Sequence, residues 1–105
     1  MNELKTFEYE NIPVRIILKD GEPWWLLADV CQALELKRED RTARGLARDE
    51  RDTYWVRLSG KAQCLLIINE SGLHKVIGRS DKPEAKKFTR WVTHEVLKAI
   101  RKAGQ

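Results

Sequence analysis

The residues of this chain best suited to chemistry with a partner are cationic. They are Arg41, Arg44 and Arg48 in one stretch, and Lys75, Arg79, Lys82, Lys86, Lys87, Arg90, Lys98 and Arg101 in another. The chemistry they offer is anion binding. A lysine ammonium is a point charge suited to a phosphate, whereas an arginine guanidinium can also bond guanine in two places at once. Arg44, Arg79 and Arg90 are therefore the first candidates for base edges, and the lysines for positioning on a backbone. The net charge is only +4, but it is unevenly spread. Residues 37–48 hold five basic and two acidic side chains (+3), and residues 71–105 hold nine and three (+6). Such concentration favours an acidic partner, of which nucleic acid is the commonest.

Catalysis finds little to work with. His74 and His94 fall on different predicted helices, and no glycine-framed serine, paired carboxylates or glycine-rich phosphate loop accompanies them. Cys31, Cys64, His74 and His94 have the donor atoms for zinc, but no two lie within a turn or knuckle of each other. The expectation is a binding protein with no metal and no cofactor.

The elements that must position the cations can be read from periodicity and turn residues. Phe7 to Glu10, Ile12 to Leu18 and Trp24 to Leu27 read as short strands, with Asp20-Gly21 as a tight hairpin turn between the last two. Pro13 has no N–H for a ladder, so its strand is expected to begin at an edge. By alternation, one of Trp24 and Trp25 should point outward. Ala28 to Leu34 predicts a short helix, and Gly45 weakens a second one between about Glu39 and Ala47. Asp49 to Asp52 reads as a charged connector. Tyr54 to Leu58 and Ala62 to Ile68 read as a hairpin joined at Ser59-Gly60-Lys61, with Cys31 and Cys64 both reduced and buried. Asn69 can cap a helix that stops at Gly78.

The last helix is the best defined. Asp81 and Glu84 have capping-box spacing, with Pro83 in the first turn. At about 100° per residue, Ala85, Phe88, Trp91, Val92, Val96, Ala99 and Ile100 share one face. Lys86, Lys87, Arg90, His94, Lys98, Arg101 and Lys102 fill roughly 160° of the opposite arc. Leu97 falls within that basic arc, where it could contact a partner or a second subunit.

Three stretches carry a family resemblance: Asp20-Gly21-Glu22-Pro23-Trp24-Trp25-Leu26-Leu27-Ala28-Asp29-Val30-Cys31, then Asn69-Glu70-Ser71-Gly72-Leu73, then Lys82 through Lys102. Together they resemble the N-terminal domain of the BRO family (Bro-N), known from large DNA viruses and from prophage antirepressors. Arg41 to Arg48 and the short Ser59 to Gln63 loop depart from that pattern. The resemblance implies the DNA-binding module of a phage-type transcriptional regulator. Its alternative is a module that binds a phage repressor, with Leu97 and the Trp24-Trp25 pair as apolar anchors.

At 105 residues, 42% hydrophobic and 34% charged, the chain suits one soluble domain spanning residues 1–105 that buries roughly 65% of its unfolded surface. The expected architecture is α+β, a small antiparallel sheet of hairpins packed by three or four helices. No signal peptide or membrane span is visible, so the expected setting is the cytoplasm of a bacterial host. A homodimer is expected on the general grounds that small DNA-binding domains gain affinity by pairing.

Overall fold

The computed structural model of the chain describes residues 3–37, 39–80 and 83–103. Five antiparallel strands form one sheet: β1 (Glu3–Tyr9), β2 (Ile12–Lys19), β3 (Glu22–Leu26), β4 (Arg51–Leu58) and β5 (Lys61–Ile68), in the order β1-β2-β3-β5-β4. Between β3 and β4 lie α1 (Leu27–Ala33), α2 (Glu39–Arg44) and a 3₁₀ turn, Arg48–Glu50. After β5 come α3 (Glu70–Gly78) and a final helix. That helix runs without a break through α4 (Glu84–Trp91), a π-helical segment (Val92–Leu97) and α5 (Lys98–Ala103). The α+β architecture is the one the hairpin and helix signals imply.

Two-residue loops close all three hairpins, and every loop residue has positive φ: Glu10 and Asn11 (49° and 68°), Asp20 and Gly21 (53° and 81°), Ser59 and Gly60 (52° and 80°). These are primed turns, whose twist matches that of the strands they join. Pro13 sits inside the sheet order rather than on an edge strand. Even so, its missing N–H costs nothing, because β3 pairs with β2 only from Ile16 onward. The N–H of Arg15, two residues on, faces the same gap and is received by the carboxylate of Asp29 on α1, N to Oδ2 2.8 Å. The Arg15 guanidinium closes on that carboxylate in a fork of two 2.9 Å bonds. β3 can therefore leave the sheet and become α1 without orphaning its neighbour's backbone.

One face of the sheet carries the helices. Val14, Ile16, Trp25 and Ile68 join Leu27, Val30 and Leu34 of α1, Leu73 and Val76 of α3, and Phe88, Val92, Val96, Leu97 and Ile100 of the final helix in one core. An edge-to-face aromatic cluster docks that helix on β1, with the Tyr9 and Phe88 centroids 5.1 Å apart and Tyr9 and Trp91 5.3 Å apart. The other face buries a smaller set, Ile17, Leu26 and Ile67, beneath Trp24, Tyr54 and Leu65. Of the tryptophan pair, Trp25 is core and Trp24 lies on the opposite face against Lys19, whose Nζ stands 5.1 Å from the ring centroid.

Several details differ from the sequence reading. Cys31 is buried but Cys64 is exposed, because the β4–β5 hairpin extends past the helical layer. α3 does stop at Gly78, though without positive φ there, whereas α2 ends at Arg44 rather than near Ala47. Asp81, the expected cap of the final helix, lies outside the described residues. The largest difference is Leu97, which is buried, while Ala99 is exposed. A regular helix would reverse those two. The π-helical segment takes up one extra residue, which retards the winding by about 100° and turns Leu97 into the core. Leu97→Ala is thus expected to cost about 2–4 kcal/mol in a urea-unfolding measurement. Ala99→Lys should stay within about 0.5 kcal/mol of the parent. The reverse result would mean the helix winds regularly.

Candidate nucleic-acid interface

The cationic residues fall into distinct groups once folded. Arg41, Arg44 and Arg48 are all exposed, on α2 and the 3₁₀ turn that follows it. Arg79 comes to them from the end of α3. Its guanidinium lies directly over Gly45, where a Cβ would fall 1.7 Å from Nη2. Glycine at 45 is what lets the guanidinium settle there, which brings Arg79 onto the chain segment that carries Arg41, Arg44 and Arg48.

Gly78 and Ser80, on either side of Arg79, line a cleft of about 560 Å³ between α3 and α4. Lys86, Arg90 and His94 line its far wall, with Ile77 and Ala85 among its apolar residues. The cleft that carries Lys86 and Arg90 thus begins at the chain neighbours of Arg79, whose own guanidinium turns to Gly45. The rest of the set points elsewhere. Lys87 is ion-paired with Glu10 in the β1–β2 turn. Arg101 lines a second cleft with Gly21 to Pro23, Asn69 to Ser71 and Ile100. Lys98 is exposed on α5 beyond the π-helical segment. The continuous basic arc expected of the last helix is thus broken at Val92–Leu97. Lys82 lies outside the described residues.

Lys75 is exposed but committed. Its Nζ lies 2.8 Å from Oε1 of Glu50, a residue only 4% exposed. The same carboxylate accepts the Ala47 N–H at 2.8 Å and the Ser71 hydroxyl at 2.7 Å. The main chain of Glu50 is tied as well. Its carbonyl accepts the Asn69 N–H at 3.1 Å, and a Cβ on Gly72 would approach that oxygen to 2.8 Å. Asn69 caps α3 through a 2.9 Å bond from the Gly72 N–H and reaches Asp49 O with its amide at 2.8 Å. This knot joins the 3₁₀ turn to the start of α3 and so holds Arg48 and the α2 arginines against the helix that carries Arg79. The acidic run Asp49 to Asp52 gave no sign of it, although Ser71 and Lys75, one helical turn apart on α3, could have suggested an anion beside that face.

The bonds from Lys75, Ala47 and Ser71 lower the Glu50 pKa from its ordinary 4.5 to about 2. Asp52, on the opposite face of the sheet, is also held below its ordinary value, chiefly by its ion pair with Lys19. Among the described residues, no group of three or more His, Cys, Asp or Glu side chains could hold a metal ion. None of the described helices is long and apolar enough to cross a membrane.

A small α+β sheet with a cationic surface built from α2, α3 and α4 is the class of module that this geometry defines. The sequence model of the BRO family, N-terminal domain, matches residues 13–98, and the chain belongs to that family. It is also 34% identical over 105 residues to an uncharacterized protein of Haemophilus influenzae, a match covering 98% of the chain and 52% of the relative. The chain thus spans about half the length of the curated relative it matches. No solved structure matches it.

The Glu50 knot makes a pH-dependent prediction. Its folded pKa lies below the unfolded value, so its contribution to stability is present above about pH 4.5 and is lost as pH falls toward 2. Unfolding free energy measured across that window should fall less steeply for Glu50→Gln than for the parent. Parallel curves would assign the acid sensitivity to other carboxylates.

Proposed function

We propose that this chain binds duplex DNA and serves as the DNA-binding module of a phage-type, antirepressor-like transcriptional regulator. The observation that carries the reading is the seating of the Arg79 guanidinium over Gly45, in the short segment that also carries the exposed Arg41, Arg44 and Arg48, together with the cleft edged by Lys86 and Arg90. Membership of the BRO family supports a nucleic-acid role in general terms. These six cations form the contact, with Arg44, Arg79 and Arg90 nearest the base edges and the others on phosphates. Lys75 supports the surface through Glu50, while Lys87, Lys98 and Arg101 add to the long-range field that steers association. Two copies acting as a homodimer would double the contact and read a two-fold site.

Binding a phage repressor is the competing role. Two of the apolar anchors it would use, Leu97 and Trp25, are core residues in this fold. The two roles differ in their response to salt. Four to six neutralised phosphates give a slope of log affinity against log salt of about −4 to −5, whereas a contact dominated by apolar burial changes little over the same range. Fluorescence anisotropy on a random-sequence duplex at several salt concentrations, with heparin as a charge control, is the direct test. The slope should lie in that range for the parent and fall by about one for each of the phosphate contacts removed in Arg41→Ala and Lys86→Ala. An unchanged affinity after joint charge reversal of Arg44, Arg79 and Arg90 would move the interface away from this surface. No DNA binding even at low salt would favour the repressor.

A further inference from the structure

The β4–β5 hairpin is longer than the layer that covers it. Its proximal residues, Leu66 and Ile68, touch the helical core, but Lys61, Ala62, Gln63 and Cys64 are all exposed, as are Trp55 and Arg57 opposite them. Trp55 is 68% exposed, the most exposed large apolar side chain among the described residues, and it belongs to neither apolar cluster. Folding does not account for its size. Its cross-strand neighbour is Cys64, and Arg57 pairs with Ala62, so small side chains leave the indole face open.

The surroundings of Trp55 are cationic. Arg51, Thr53, Trp55 and Arg57 alternate along one face of β4, the face shared with the helices, at about 6.7 Å intervals. Arg51 donates Nη1 to Ala43 O at 3.2 Å, and Arg57 donates Nη1 to Gly60 O at 3.2 Å, which fixes both guanidinium groups without neutralising them. Arg48 lines a cleft of about 410 Å³ with Arg51, Thr53 and Leu66, so this row begins where the arginine group of α2 and the 3₁₀ turn ends. Asp52, which also lines that cleft, has its carboxylate paired with Lys19. An exposed indole flanked by arginines, on a two-stranded ribbon of a width the major groove admits, is complementary to nucleic acid rather than to a purely apolar partner.

We propose that the free half of the β4–β5 ribbon is a second DNA-contacting element, in which Trp55 packs against base edges in the groove while Arg48, Arg51 and Arg57 follow the adjoining phosphates. The inference rests on the DNA-binding reading above and adds to it an apolar contact capable of sequence preference. An indole neutralises no phosphate, so its loss should weaken binding without changing the salt slope. This separates Trp55 from every cation placed on a phosphate.

The experiment compares parent and Trp55→Ala by anisotropy on the same duplex across a salt series, and follows alkylation of the thiols by iodoacetamide with and without saturating duplex. Cys31 is buried and Cys64 exposed, so Cys64 reports selectively on the ribbon face beside Trp55. Trp55→Ala should bind at least about tenfold more weakly with the parent's slope, as expected of a buried aromatic anchor. Its urea midpoint should be unchanged, and DNA should protect Cys64 in the parent. If the parent binds but Trp55→Ala matches its affinity, or the saturated complex alkylates at the free rate, the ribbon is not a contact and the basic surface stands alone. If the parent does not bind DNA at all, both readings fall together.

Discussion

Glu50 carries a negative charge into the junction between β4 and α3, where water has been largely removed, and the local structure is organised around balancing it. A carboxylate so placed is tolerated when its oxygens are satisfied. Here an ammonium, a hydroxyl and a main-chain N–H satisfy them. Removing one partner would leave a buried charge short of bonds, which costs more than the bond itself contributes. The three donors come from α3 and from the loop before the 3₁₀ turn, so the charge fixes the distance between those elements. Arg48, in the 3₁₀ turn, Arg51, just after it, and Arg79, at the far end of α3, take their positions from that distance.

A second carboxylate does similar work on the other side of the sheet order. Asp29 takes up the Arg15 N–H that β3 leaves behind and clamps the guanidinium as well. Both buried acids thus sit where a regular element begins, and each satisfies main-chain donors there. The two prolines of β2 and β3 lie at the complementary places, where the adjacent strand has not yet started pairing. The sheet is built with its gaps matched to residues that have no donor to lose.

Much of this was legible from local pattern. Asp20-Gly21 and Ser59-Gly60 mark their hairpins because few residue pairs accept positive φ twice in succession. The alternating apolar runs give the strands, and Phe88, Val92, Val96 and Ile100 give the buried side of the final helix. Three features depended on information that local pattern does not hold. Glu50 looks like one more charge in a connector, since its partners Ser71 and Lys75 lie 21 and 25 residues away. Cys64 reads as buried because a strand's alternation is the same whether or not a helix lies over it. Leu97 was turned to the wrong side because a helical wheel assumes uniform winding, and the basic arc drawn from the same wheel was continuous for the same reason. For the candidate surface, the residue types were visible but their grouping was not. The Arg79 guanidinium settles over Gly45, 34 positions away, through a contact that neither local sequence announces.

The π-helical segment also acts as a rotational offset counted in whole residues. Everything after Leu97 is displaced around the helix axis by one residue's turn relative to everything before Val92, while both ends remain seated on the sheet. The tail of the helix, with Lys98, Arg101 and Lys102, is therefore aimed independently of Lys86 and Arg90. Between relatives, a single-residue insertion or deletion at this point would re-aim that tail in one step without altering any side chain along it. Matching such helices residue by residue without a gap would pair core positions with exposed ones from there to the end of the chain.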